Sequence, residues 1–333
     1  RIVHLCGPSD GGIRAHVRTL AGAQRTAGHR VGLVDWPAHR RVARASLAAD
    51  VVHAHGLKAG ALAVLATRAV PASGRPAVVV TLHNLPVGPR RVRAAGALLA
   101  RVVARAHAVL AVSDDIVAWA THHGARHARW TPVPAPALDL PHHSRDEVRA
   151  SLGVPPDCAL VLTVGRLAPQ KGLDLAIDTA VYLRTACARG LTWVIAGEGP
   201  QRAHIAERID REAVPLRLLG RRDDLPDLYH AADLVVSTAV WEGQPLALQE
   251  ALASGVPVVA TDAGGTRGVV GAAGLLVARD PRAVAGAIVR VLESPEYLAD
   301  LRIRARRRGR ELPTVHDMLA DVMASYPASS ADG

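Results

Sequence analysis

Short runs of β-branched and other apolar residues alternate along this chain with longer stretches of helical periodicity, the pattern that βαβ units and a parallel sheet require. In the first half the strand-like runs are Ile2 to Cys6, Val31 to Asp35, Val51 to His55, Ala77 to His83, Ala108 to Val112 and Trp130 to Val133. Each is followed by loop or helix signals. After the first, Ile13, Val17, Leu20 and Ala21 fall on one helical face, and Gly28 supplies a C-cap. The alternation breaks at Thr131 to Pro141 (TPVPAPALDLP), whose prolines sustain neither a helix nor a central strand, so this segment reads as an interdomain linker. Beyond it the pattern restarts with Ala159 to Val164, Thr192 to Ala196, Leu216 to Leu219, Leu234 to Ser237, Pro257 to Ala260 and Leu275 to Val277. The expectation is an α/β protein of two doubly wound parallel-sheet domains, at 1–138 and 139–312. From Pro281 the chain is helical and charged, with a basic run at Arg302 to Arg310. A last helix at 313–326 is expected to pack back on the first domain, and a polar tail at 327–333 to be disordered.

A length of 333 residues exceeds what one hydrophobic core organises, which agrees with two domains. The longest apolar runs are strand-sized, so no membrane-spanning helix is encoded. Arg1 to Cys6 already reads as a strand, and no signal peptide is visible. Cys6, Cys158 and Cys187 lack C-x-x-C spacing, which argues against a disulfide framework or a cysteine zinc site and for a reducing, cytoplasmic setting.

Charge is unevenly placed. Residues 1–140 carry 18 Lys and Arg against 6 Asp and Glu, a balance of +12, whereas residues 141–333 carry 22 against 24, a balance of −2. A basic half suits an anionic acceptor, an anionic membrane surface or nucleic acid. General Arg enrichment is the plainer account, since Ala and Arg abound throughout. Within this half, Pro89 to His107 has basic and apolar residues at helical spacing, fit either to pack on the sheet or to lie on the inner face of an anionic membrane. Lys58 and Lys171 are the only lysines, so a chain that elsewhere uses Arg keeps a compact ammonium at two positions.

Two segments carry chemistry. Gly165-Arg166-Leu167-Ala168-Pro169-Gln170-Lys171-Gly172 follows a buried-type strand and precedes a helix, where open α/β sheets bind ligands. There the planar fork of Arg166 and the point charge of Lys171 suit a diphosphate. In Trp241-Glu242-Gly243-Gln244-Pro245-Leu246, continuing to Gly255, Pro245 suits a first helical position and Gly255 a C-cap, which predicts a helix from about Pro245 to Ser254. Its leading backbone N–H groups, near Gly243, Gln244 and Leu246, suit an anion. Glu250 is the single charge on that helix, and a ribose diol would supply the hydrogen bonds a half-buried carboxylate needs. Glu242 is placed to meet sugar hydroxyls. His53 and His55 share one face of a strand, but no third metal ligand stands at a recognisable spacing, so no metal site is expected.

Taken in order, several elements resemble glycosyltransferase family 4, the retaining nucleotide-sugar enzymes of GT-B fold. They are Gly11-Gly12 with His16, the Thr81-Leu82-His83 segment, Val112-Ser113, the Gly165-Arg166 to Lys171-Gly172 turn, Gly197-Glu198-Gly199, the Glu242 and Glu250 pair, and Asp262-Ala263-Gly264-Gly265. The resemblance implies two Rossmann-like domains facing a central cleft. It assigns Arg166 and Lys171 to the donor diphosphate, Glu250 to the ribose, Glu242 and His83 to the transferred sugar, and Gly11 and Gly12 to close backbone approach to the donor phosphates. It further implies front-face transfer of a hexose-type sugar from a UDP- or GDP-sugar to a glycan, lipid or small-molecule acceptor, with no cofactor and no bound metal. In one place the chain departs from the family pattern: where relatives often carry a Glu a few residues after the double glycine, it reads Gly264-Gly265-Thr266-Arg267-Gly268.

Three alternatives stand beside this. A GT-B-fold sugar-nucleotide epimerase would share the architecture. A nicotinamide dehydrogenase fits poorly, because Pro200 follows Gly199 and no third glycine arrives at the required spacing. A basic nucleic-acid-binding protein is the non-enzyme alternative, but the chain has no Phe and no recognisable binding module.

Overall fold

Strands that are apolar along their whole length need cover on both faces, and the computed structural model provides it. It describes residues 1–7, 12–35, 49–86, 88–188 and 190–327. The backbone divides into two units, Arg1–Pro134 with Pro313–Gly333, and Ala135–Leu312.

The first unit is built on β1 (Ile2–Cys6), β2 (Val31–Asp35), β3 (Val51–His55), β4 (Ala77–Leu82), β5 (Ala108–Ala111) and β6 (Ala128–Trp130), a parallel sheet in the order β2-β1-β3-β4-β5-β6. The second is built on β7 (Ala159–Val164), β8 (Leu191–Ala196), β9 (Leu216–Gly220), β10 (Leu234–Ser237), β11 (Val258–Thr261) and β12 (Gly274–Val277), parallel in the order β12-β11-β10-β7-β8-β9.

The period of two along β7 sorts its residues between two cores. Ala159 and Val161 face a cluster with Trp193, Ile177 and Ile288, while Leu160 and Leu162 face another with Tyr229, Leu248 and Leu252. In the first unit Leu20, Val51, Val79 and Leu110 enclose Met318 and Val322 from the last helix, Val315–Met323. That helix begins at a capping box, with the Thr314 hydroxyl and the Asp317 side chain each bonded to the other's backbone N–H.

β4, β5, β8, β9, β11 and β12 differ from the sequence expectation by one residue at one or both ends, and two further differences have a plain cause. The sixth strand is Ala128–Trp130 rather than Trp130 to Val133, because Pro132 has no N–H to continue the ladder after Thr131 bonds to Ala111. The helix expected to start at Pro245 spans Leu246–Ala253, with Pro245 as an extended N-cap (ψ 94°). The tail 328–333, expected to be disordered, lies outside the described residues, as does Gly11. No helix among the described residues is long and apolar enough to cross a membrane.

Candidate active site

Where the strand order of a parallel sheet runs outward from one pair of neighbours, the loops after those two strands diverge and leave a crevice at their carboxyl ends. In the second unit that pair is β7 and β10. The loop after β7 carries Arg166 and Lys171, and the segment after β10 carries Glu242 to Leu246, so the topology brings the two segments singled out in the sequence to one place.

Backbone hydrogen bonds tie these loops together. Gly165 N–H donates to Ala196 O at 3.0 Å, Leu167 N–H to Glu198 O at 2.9 Å, and Val240 N–H to Gln170 O at 2.8 Å. A Cβ on Gly197 (φ +153°) would lie 1.9 Å from Gly165 O, so the Gly197-Glu198-Gly199 segment serves here as a close support for the Arg166 loop. A Cβ on Gly264 (φ +54°) would lie 2.1 Å from Glu242 O, the same oxygen that accepts from Gly265 N–H at 2.8 Å. The double glycine thus seats the backbone of Glu242, and beside it Arg267 pairs with Asp262.

Lys171 and Glu242 hold each other: Nζ lies 2.5 Å from Oε1, with Glu242 buried and Lys171 half-buried. Arg166 is exposed, with no carboxylate within ion-pair distance among the described residues. Glu250 stands on the inner side of the Leu246–Ala253 helix, where burial raises its carboxyl above the ordinary carboxylate range. Tyr229 donates to Glu250 Oε2 at 2.8 Å and offsets part of that rise. Sequence reasoning missed Tyr229. The sign that existed was the isolation of Glu250, a charge that needs a donor. The Pro245 cap makes no side-chain hydrogen bond, which leaves the helix start to be met from outside the cap.

In the first unit the corresponding switch lies between β1 and β3. Here His83, just past β4, is one of five histidines gathered on one side of the sheet. His4 is paired in register with His53, His55 lies opposite Thr81, and His16 comes from the Gly12–Thr26 helix that begins at Gly12. All five are buried. Burial lowers every one of these imidazoles, His4 and His83 to about 4, so they are neutral at physiological pH. His53 and His55 do share a face, as their spacing indicated. The missing third ligand, however, comes from other elements: the ring nitrogens of His4, His53 and His55, and those of His16, His55 and His83, lie within 4.8 Å of one another, so either trio has the donor set to hold a metal ion. The sequence could not show this, because the trios are assembled across strands. A cavity of about 380 Å³ opens beside His55 and His83, with Lys58, the second of the two lysines, on its lining.

Comparison with known proteins agrees with this architecture. Residues 158–294 match the family described as Glycosyl transferases group 1, and residues 32–136 match Glycosyltransferase Family 4. The lipopolysaccharide core biosynthesis mannosyltransferase LpsB of Rhizobium meliloti is 37% identical over 131 residues, 37% of each chain. D-inositol 3-phosphate glycosyltransferase 1 of Catenulispora acidiphila is 31% identical over 284 residues, 77% of this chain and 67% of that one. The chain therefore spans little more than a third of the mannosyltransferase and two thirds of the inositol 3-phosphate enzyme. Among solved structures, HepE of Anabaena in complex with UDP-glucose superposes with a TM-score of 0.83 at 21% identity, covering 97% of this chain and 98% of that one. Two parallel six-stranded sheets with flanking helices are the GT-B architecture. The chain belongs to glycosyltransferase family 4.

Proposed function

We propose that this chain is a retaining glycosyltransferase that moves a hexose-type sugar from a nucleotide-diphosphate donor to a glycan, lipid or small-molecule acceptor by a front-face, metal-independent mechanism. The observation that carries this is the convergence of Arg166, Lys171, Glu242 and the start of the Leu246–Ala253 helix at the β7/β10 switch point, with Glu250 on the same helix. In this proposal Arg166, Lys171 and the N–H groups near Gly243, Gln244 and Leu246 take the charge of the departing diphosphate. Electrostatic stabilisation of that leaving group is the main catalytic contribution. Pro245 sets the start of the helix and donates nothing itself. Glu250 accepts from the ribose diol. Glu242 exchanges its bond to Lys171 for one to the sugar as the diphosphate engages the ammonium. Gly11 and Gly12 are proposed for the donor phosphates and His83 for the sugar, on the strength of the family resemblance.

The test is a thermal-shift screen of UDP-, GDP- and ADP-sugars against the wild type and Glu250→Ala. HepE was solved with UDP-glucose, which makes UDP-sugars the first choice. Stabilisation of the wild type alone identifies both donor and site, and no shift with any donor counts against the proposal. Turnover of the nucleotide sugar without an acceptor would favour the epimerase instead.

The helix Arg90–Val103 supports a second element of the proposal, peripheral association with the inner face of an anionic membrane by a cytoplasmic enzyme. Gly96, Ala100 and Val103 bury one side of it, yet Arg90, Arg91 and Arg93 are exposed together with Val92 (41%) and Leu98 (63%). Apolar tips among cations suit an anionic bilayer. Flotation with anionic but not neutral vesicles is expected, and equal failure with both removes this element.

A further inference from the structure

A neutral imidazole carries one N–H, so histidines joined nitrogen to nitrogen in a row have only two proton arrangements, one running each way. His4, His55 and His83 form such a row. His4 Nδ1 lies 3.0 Å from His55 Nε2, and His55 Nδ1 lies 3.2 Å from His83 Nε2. At the far end Gln24 Oε1 lies 2.7 Å from His4 Nε2.

The other end of the Gln24 amide decides the direction. Its Nε2 lies 2.9 Å from the Tyr326 hydroxyl and 3.9 Å from Met323 Sδ, so each of its two N–H groups meets an acceptor. A reversed amide could still accept from the Tyr326 hydroxyl but would forfeit the second contact, because a thioether has no proton to give. Tyr326 is then free to donate to His53 Nδ1 at 2.8 Å, and His53 Nε2–H to Thr81 Oγ1 at 2.7 Å. With Gln24 Oε1 as the terminal acceptor, every bond in the row has one direction. His4, His55 and His83 each carry the proton on Nε2, and the last acceptor nitrogen in the row is His83 Nδ1. His16 packs edge-on against both His55 and His83, with ring centroids at 5.8 and 5.2 Å, and so limits the rotation that would break the row.

We propose that Gln24, His4 and His55 are positioning residues that lock His83 in its Nε2–H tautomer, so that Nδ1 accepts a hydrogen bond from a hydroxyl of the transferred sugar. This rests on the assignment of His83 to the sugar made above. It makes the first unit selective for donors with a hydroxyl at the contacted carbon, because a deoxy sugar leaves the acceptor nitrogen without a partner. Control of a reactive imidazole by the hydrogen bond on its other nitrogen is a general device, here extended over three side chains.

The experiment is long-range ¹H–¹⁵N correlation on the full chain with ¹⁵N-labelled histidine at neutral pH, assigned with single His variants. The expected wild-type result is the Nε2–H pattern for His4, His55 and His83. In Gln24→Leu, and more mildly in Tyr326→Phe, the His83 signals are expected to move toward a mixture of tautomers. Gln24→Glu, which keeps the acceptor, is expected to retain the wild-type pattern. Donor KM is expected to rise about tenfold in Gln24→Leu with kcat less affected, as loss of an orienting contact made before the chemical step. An Nδ1–H tautomer at His83 in the wild type, or His83 signals indifferent to both Gln24→Leu and Tyr326→Phe, overturns the proposal. So does one equivalent of Zn²⁺ shifting His16, His55 and His83 together, which would make this a metal centre. Failure of the underlying assignment shows separately: His83→Ala would leave the preference for hydroxylated over deoxy donors unchanged while the wild-type tautomers stay as stated.

Discussion

The Lys171 ammonium lies 2.5 Å from the Glu242 carboxylate, so the cation proposed for the diphosphate and the acid proposed for the sugar neutralise each other in the unliganded protein. Lys171→Ala therefore strands a buried carboxylate. We expect it to cost about 2 kcal/mol, less than a fully enclosed pair because the lysine is partly solvated. The Lys171→Ala/Glu242→Ala double variant should lose clearly less than the sum of the single changes in a denaturant-unfolding cycle. Additive losses would mean that the pair is not coupled. Lys171→Arg should fail to restore donor-induced stabilisation, since a planar fork does not reproduce a point charge.

Glu250 gives a pH signature of opposite sign to the usual carboxylate. Burial raises its folded value above the ordinary 4.5, so between the unfolded and folded values the native state holds a proton that the unfolded chain has released. Its contribution to stability is therefore highest below that window and is lost as pH rises through it. Glu250→Gln should be at least as stable as the wild type at pH 7 yet bind donor at least about tenfold more weakly. Tyr229→Phe, which removes the hydroxyl bonded at 2.8 Å, should move the pH-dependent onset of donor binding upward. Calorimetric titration of donor across the acid-to-neutral range would read this directly.

The five histidines predict a steep acid limb. His4 and His83 fall to about 4 and the other three also lie below 6.5, so the unfolded chain takes up protons that the native state excludes. Stability is full above the unfolded value near 6.5 and is lost as pH falls toward the folded values, by about 1.4 kcal/mol per pH unit for each proton. Among the described residues His16 has no hydrogen-bond partner on either ring nitrogen. His16→Phe should hence reduce the slope by about one proton while changing stability at pH 8 by less than about 1 kcal/mol. An unchanged slope would show that His16 is protonated equally in both states.

Gly264 and Gly268 form a matched pair of tests. Alanine at Gly264 places a Cβ 2.1 Å from Glu242 O, whereas at Gly268, among the described residues, a Cβ meets no heavy atom within 4 Å beyond its chain neighbours and its own helix backbone. Gly264→Ala should lower stability by about 2–3 kcal/mol and weaken donor binding, whereas Gly268→Ala should stay within about 0.5 kcal/mol. Similar effects at both positions would show that the approach to Glu242 is not limiting.

Much of this architecture was legible in the sequence for a simple reason. Buried parallel strands leave uninterrupted apolar runs, and the loops after β7 and β10 announce themselves by Arg166, Lys171 and Glu242 in a chain otherwise sparing with Lys. What escaped were partners brought together by topology. Glu250 stood out as the lone charge on its helix, but Tyr229 sits on another helix, Leu225–Ala231, and nothing local links them. The spacing of His53 and His55 gave their shared face, yet His4, His16 and His83 come to them from three other elements. Alternation says which face a side chain takes but not which strand lies beside it. The sixth strand starts two residues and ends three residues earlier than expected, because apolar Val133 outweighed, in pattern alone, the missing N–H of Pro132.

The helix Val315–Met323 brings Met318 and Val322 into the core of the first unit, and Tyr326 into contact with Gln24 and His53. Synthesis runs from the amino end, so the first unit, whose strands all precede Pro134, cannot be completed until the segment from Pro313 has emerged. Its six strands lack the apolar side chains of Met318 and Val322 until then, while the unit Ala135–Leu312 is one continuous stretch that can finish folding. Nascent chains stalled before Pro313 should accordingly resist protease in the second unit and remain cleavable in the first.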